Sequence, residues 1–141
     1  MALSKDFRSG RHVISNLHAH LVFTPKYRRP VITERVWSVL RAAFARVCED
    51  FEATLDEANY EVDHAHLLVS YAPKVAVSRL VNSLKGVSAY DLRRTGYEEV
   101  ERALWGRAFW SPSYCVVSCG GAPLEVIRQY VEQQRGASSP S

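Results

Sequence analysis

Two histidines flank one small apolar residue in His64-Ala65-His66, directly after Asp63 and ahead of the apolar run Leu67-Leu68-Val69. On a strand, residues two apart point to the same face, so both imidazoles converge on one point. Neutral imidazole binds divalent metal ions, and a buried strand behind the pair would hold it rigidly. Two ligands do not complete a site, and two inert histidines on a half-exposed sheet face would give the same pattern. His18-Ala19-His20 repeats it. Period-two geometry does not choose between the pairs: they line one sheet face together, or one pair is structural. Toward the C-terminus, Tyr130 and Gln134 lie at i and i+4, one turn apart on one helix face. A tyrosine beside a metal can attack phosphate once charge on the phosphoryl oxygens is neutralised. The amide carbonyl of Gln134 can supply an oxygen ligand. A helix tyrosine packed on a core with its hydroxyl at the edge has the same spacing.

The elements that would carry these groups follow from the apolar periodicity. Residues Val13 to Phe23 alternate as a strand, with Val13, Leu17, Ala19, Leu21 and Phe23 on one face and Ile14, His18, His20 and Val22 on the other. Pro25 and Pro30 bracket a basic loop. Thr33 caps a helix to about Asp50, with Val36, Trp37, Leu40, Ala43, Phe44 and Val47 on one stripe. Strands over about Ala53–Val62 and Ala65–Tyr71 meet at a tight turn near Asp63. A second helix over Val75–Arg94, a short one near Tyr97–Leu104 and a strand at Ser113–Ser118 follow. Gly120-Gly121 breaks the chain, Pro123 opens a final helix, and Gly136 ends it after Arg135. The order βαββαβ plus a terminal helix predicts an α+β fold. An antiparallel sheet would carry helices on one face, as in ferredoxin-like and RNA-recognition-motif-like folds.

With 141 residues and 47% hydrophobic side chains, the chain reads as one domain able to bury a core without disulfides. Flexible ends are expected over about residues 1–10 and 137–141. No apolar run reaches membrane-span length and no secretory signal opens the chain, so a cytoplasmic protein is expected. Cys48, Cys115 and Cys119 form no CxxC pair and read as small buried side chains. The net charge of +3 is mild, but the cations are clustered: Lys26-Tyr27-Arg28-Arg29, then Lys85, then Arg93-Arg94, with Arg107 later. Cations pair with phosphates and rings stack on bases, which suits a nucleic acid; a solvated basic face is the plainer alternative.

Taken in order, the motifs resemble those of the single-tyrosine HUH transposases, TnpA-like, of insertion sequences that move as single-stranded DNA. They run from His20-Leu21-Val22-Phe23-Thr24-Pro25-Lys26-Tyr27-Arg28 to Asp63-His64-Ala65-His66-Leu67-Leu68. Lys85-Gly86-Val87-Ser88-Ala89, Leu104-Trp105-Gly106 and Phe109-Trp110-Ser111-Pro112-Ser113-Tyr114 follow, and Tyr130 with Gln134 comes last. Each alone is weak; six in the expected order are specific. The chain departs from many relatives in carrying Val62 where they have proline and a small Ala65 between the histidines.

The resemblance implies roles that spacing does not assign. His64 and His66 become the metal-binding pair, Gln134 the third ligand and Tyr130 the nucleophile, while His20 is a motif residue but not a ligand. His18 stays unexplained. The implied cofactor is Mg²⁺ or Mn²⁺, with no nucleotide cofactor. The implied reaction cleaves and rejoins single-stranded DNA at hairpin-bearing transposon ends through a 5′-phosphotyrosine, with a metal-bound or nearby water taking the phenolic proton. A homodimer whose active sites are shared between subunits is implied as well. Candidate phosphate contacts are Lys26, Arg28, Arg29, Lys85, Arg93 and Arg94. Three rivals share the pattern: a domesticated relative that processes repeated palindromes, a non-enzymatic nucleic-acid-binding module, and a metal-dependent phosphodiesterase that uses water.

Overall fold

The computed structural model describes residues 9–10, 13–14, 17–104, 108–118 and 131–133. A four-stranded antiparallel sheet in the order β4-β5-β3-β6 organises them. Its strands are β3 (Leu17–Phe23), β4 (Thr54–Glu61), β5 (His64–Tyr71) and β6 (Cys115–Ser118). Two crossovers return the chain over the same face. One runs through α1 (Glu34–Asp50), the other through α2 (Val77–Arg93) and the short α3 (Glu98–Ala103). This is the expected βαββαβ order. Pairing the first strand with the third, and placing the last at the open edge of the first, is the split βαβ topology.

The first expected strand is divided. Val13–Ile14 (β2) pairs with Ser9–Gly10 (β1) in a separate two-stranded sheet, and the main sheet takes up the chain only from Leu17. Alternation continues through both pieces, so local pattern does not reveal that the pairing partner changes.

Each element forms for a local reason. The Thr33 hydroxyl accepts a hydrogen bond from the Val36 amide at 3.3 Å and so caps α1, with Glu34 in the first turn. Val36, Leu40, Ala43, Phe44, Val47 and Cys48 recur at helical spacing and are buried. On α2 the matching stripe is Leu80, Val81, Leu84, Ser88, Ala89 and Leu92. Both stripes pack on Ala19, Leu21 and Phe23 of β3 and on Ala65, Leu67, Val69 and Tyr71 of β5. Buried Phe23, Phe44 and Trp110 meet ring to ring, with Phe23 at 5.7 Å from Trp110 and 6.0 Å from Phe44. Trp110 donates its indole N–H to the Ser88 hydroxyl at 3.0 Å, which satisfies both polar groups inside the core. Cys48 lies in this core, and burial pushes its thiol up to about 11, so it is an inert apolar filler.

The remaining face of the sheet is a different surface. Period two sends His18, His20 and Val22 of β3 there, with His64, His66, Leu68 and Ser70 of β5 beside them in register. The helical residues 131–133 reach this face: Val131, 6% exposed, packs on Val22 and Cys115.

Candidate active site

The register of β3 on β5 decides what the two histidine pairs do together. Val22 lies opposite His66 and His20 opposite Leu68, so His20 and His66 are diagonal neighbours on one face. Their rings stack with centroids 5.0 Å apart and planes 8° from parallel, and Nδ1 of His20 is 2.8 Å from Nε2 of His66. Burial, reinforced by the nearby His20, holds the His66 imidazole below its usual range and therefore neutral, the form that binds metal. His18 sits at the far end of the row. Its Nδ1 is 2.9 Å from the Ser70 hydroxyl, and that hydroxyl donates to Asp56, the extra residue of a bulge in β4. The four histidines thus share one face, and His18 belongs to a separate polar cluster.

His64 is oriented from the side. Asp63, in the turn between β4 and β5, places one carboxylate oxygen 3.0 Å from Nδ1 of His64 and receives Arg28 on the other. Arg28 donates from Nε at 2.7 Å and from Nη2 at 2.6 Å, with its side chain only 8% exposed. Burial alone would push the Asp63 carboxyl up, but the His64 hydrogen bond and the Arg28 charge outweigh it and hold it below the ordinary range. A carboxylate on Nδ1 fixes that proton there and leaves Nε2 with its lone pair. The chain Arg28–Asp63–His64 therefore aims one imidazole nitrogen outward.

Arg28 reaches Asp63 because its loop is bent. Tyr27 and Arg28 both adopt left-handed backbone, with φ of 62° and 52°, a conformation that costs a bulky residue about 1–3 kcal/mol. Surrounding contacts hold the bend. The Arg28 amide donates to Pro25 at 2.7 Å, the Lys26 amide to Phe109 at 2.8 Å, and the Ser111 amide to Thr24 at 2.8 Å. Lys85 in turn ties the Ser111 segment to α2, donating to the Ser111 carbonyl at 2.6 Å and the Ser113 carbonyl at 3.4 Å. The motifs spread along the sequence thus form one scaffold. Trp110 joins Ser88, Ser111 joins Lys85 and Thr24, and Arg28 joins Asp63, which orients His64.

This scaffold places the expected site residues unequally. His64 and His66 come together on one face. Lys26 and Arg29 lie over the Tyr27 ring, at 5.6 and 5.8 Å from its centroid, in the loop that carries Arg28, and Arg29 also donates from Nη1 to the Arg102 carbonyl at 3.2 Å, on an exposed surface. Arg28 and Lys85, expected on phosphate, turn their cations to Asp63 and to backbone carbonyls. Arg93 and Arg94 end α2, in the helix layer behind the sheet, where Arg94 lies over Tyr90. Tyr130 and Gln134, like Cys119 and Arg107, lie outside the described residues. Asp63 and Arg28 are the orienting residues that spacing missed. The one local signal was an acidic residue immediately before a histidine ligand pair.

Among the described residues no three His, Cys, Asp or Glu side chains come together as a metal site. The His64–His66 pair offers two nitrogen donors, and an amide oxygen is one donor type able to join them.

Comparison with known proteins agrees with the fold and with the family resemblance. The family model for IS200-like transposases matches residues 13–134. The chain is 30% identical over 132 residues to the ISDra2 transposase TnpA of Deinococcus radiodurans, covering 94% of each chain. It is 30% identical over 129 residues to the transposase of insertion sequence element IS200 from Salmonella typhimurium, covering 92% of this chain and 84% of the relative. A crystal structure described as a transposase from Deinococcus radiodurans R1 superposes with a TM-score of 0.79 at 28% identity, over 90% of this chain and 97% of that one. A REP-associated tyrosine transposase bound to a REP hairpin shares the fold, with a TM-score of 0.53 at 14% identity over 94% of this chain and 68% of that one.

Proposed function

The chain belongs to the IS200-like transposase family, a family of DNA-cleaving enzymes, and we propose that it cuts and rejoins single-stranded DNA with Tyr130 as its nucleophile. The observation that carries this reading is the contact of Val131 with Val22. Val22 is the cross-strand partner of His66, so the residue next to Tyr130 belongs on the histidine face. A phenol brought there would meet a phosphate held against His64 and His66.

The divalent ion that such chemistry calls for fits the donors present. His64 offers a lone pair aimed by Asp63, His66 is held neutral by burial, and Gln134 is the amide oxygen we assign as third ligand. When bound, Mg²⁺ or Mn²⁺ would offset the charge that builds on the phosphoryl oxygens. Water or phosphate oxygens would complete the shell of so hard a cation.

The reaction balances within the chain and its DNA. The Tyr130 oxygen forms a bond to phosphorus as the bond to the 3′ oxygen breaks, giving a 5′-phosphotyrosine and a free 3′-hydroxyl. The phenol, with an unperturbed pKa of about 10, gives its proton to a nearby water. A second 3′-hydroxyl then attacks the phosphotyrosine, joins the strands and returns the phenol. No nucleotide is consumed because the covalent link conserves the bond. The DNA we expect is a hairpin at each transposon end. Lys26 and Arg29 beside the histidine-orienting loop are assigned to its phosphates, with Arg93 and Arg94 on a second path, while Arg28 and Lys85 support the site from behind.

A denaturing gel of protein mixed with labelled single strands from the gene's own flanks tests the reading. With Mg²⁺ or Mn²⁺ present, wild type gives a labelled protein band, and Tyr130→Phe and His64→Ala do not. Cleavage without a labelled protein band would make water the nucleophile and overturn the assignment of Tyr130.

A further inference from the structure

The side chain of Tyr27 has no role in the chemistry above, yet it stands out of the same strained turn that brings Arg28 to Asp63. A bulky residue rarely sits in left-handed space, which favours glycine or asparagine. Tyr27 does so at φ 62° and ψ 16°, and the following Arg28 does so as well. The two bends act in opposite directions. Arg28 goes inward to Asp63, and the Tyr27 ring is left 54% exposed. The chain entering the loop is tied by the Lys26–Phe109 and Ser111–Thr24 backbone bonds, and the Arg28 amide closes the turn on the Pro25 carbonyl, so the ring is presented on a fixed support. Lys26 and Arg29 place cations at 5.6 and 5.8 Å from its centroid. Among the described residues the other strongly exposed tyrosine, Tyr90, sits on an ordinary helical surface and requires no such bend.

We propose that Tyr27 is a stacking platform for one unpaired base of the DNA strand, with Lys26 and Arg29 holding the phosphates on either side of that base. A half-exposed ring with two cations at 5.6 and 5.8 Å from its centroid matches the chemistry of a single-stranded nucleotide, whose base is flat and apolar and whose backbone is anionic. A duplex hides its base faces and cannot use the ring. The platform is one residue from Arg28, and the Arg28–Asp63–His64 chain links it to the histidine face. A base docked on Tyr27 would therefore fix the strand relative to the imidazole that Asp63 aims. This inference rests on the single-stranded DNA reading above and adds the residue that tells an unpaired base from a paired one.

Equilibrium binding of the full chain to a labelled oligothymidylate, a fully abasic strand of the same length and a duplex of the same length tests it. Wild type is expected to prefer the oligothymidylate to both. Tyr27→Gly suits the left-handed backbone, keeps the loop unstrained and removes the ring. It is expected to bind the oligothymidylate about 5- to 150-fold more weakly and the abasic strand as wild type does. Tyr27→Phe keeps the ring face and is expected to keep wild-type affinity. An equal loss on both strands would make Tyr27 a structural residue, and no loss would remove it from the interface; either overturns the platform while single-strand preference stands. Wild type that favours the duplex would overturn the single-stranded DNA reading itself, and the platform with it.

Discussion

Asp63 touches a cation on one side and an imidazole on the other, and its removal affects both. Asp63→Ala is expected to weaken Mn²⁺ binding about 10- to 100-fold, the usual effect of losing the partner that orients a ligating histidine. Titration calorimetry checks this without reference to cleavage. Unchanged affinity would mean that His64 is aimed by the strand alone. Ser88 makes a second residue-scale prediction. Ser88→Ala leaves the buried Trp110 N–H without its acceptor and should cost about 1–3 kcal/mol by urea unfolding. Adding Trp110→Phe should recover part of the loss, since neither polar group is then stranded. At this scale the sequence was legible where chemistry is local. The His64-Ala65-His66 spacing put two imidazoles on one face, and they are on one face. The stacking of His20 on His66 was not legible, because it depends on the register of two strands 46 residues apart. Nor was the inward turn of Arg28, whose partner lies 35 residues away.

Among the elements, the start of α1 and the start of α3 are clasped by one carboxylate. Glu99 accepts from Thr33 at 2.8 Å and from Arg35 at 2.8 and 2.6 Å. The Arg35 hydrogen bond, then that of Thr33, hold its carboxyl down at about 2. Because the folded value is depressed, the clasp stabilises the protein fully above the ordinary value of 4.5 and loses its effect as pH falls toward 2. Glu99→Gln should therefore lower Tm at neutral pH, by a small amount because the pair is solvent-screened. The gap to wild type should close as the pH is lowered through that window. A constant gap would assign the effect to packing. The helices Glu34–Asp50, Val77–Arg93 and Glu98–Ala103 were readable from their apolar stripes, with limits within a few residues of those expected, while the ends of the final helix lie outside the described residues. The strand beginning at Val13 was not, since alternation records which face a residue prefers and nothing about which strand it meets.

For the whole molecule, the open question is how many chains make one site. The family resemblance implies two chains that complete each other, with the tyrosine helix of one serving the histidines of the other in place of the contact within one chain. A mixture of Tyr130→Phe and His64→Ala chains, each silent alone, is then expected to regain cleavage. A silent mixture in a confirmed heterodimer would confine the site to one chain, through the contact that Val131 makes with Val22.

The bulge in β4 has a further consequence. Among the described residues, β4 forms one outer border of the main sheet, and such a border invites foreign strands to add on. Here Asp56 interrupts the ladder, and Glu57 and Glu61 stand along the same strand. A strand approaching from outside would meet a kinked backbone and a row of negative charge. The irregularity that gives His18 and Ser70 their acidic partner therefore also guards the protein against polymerising into fibrils.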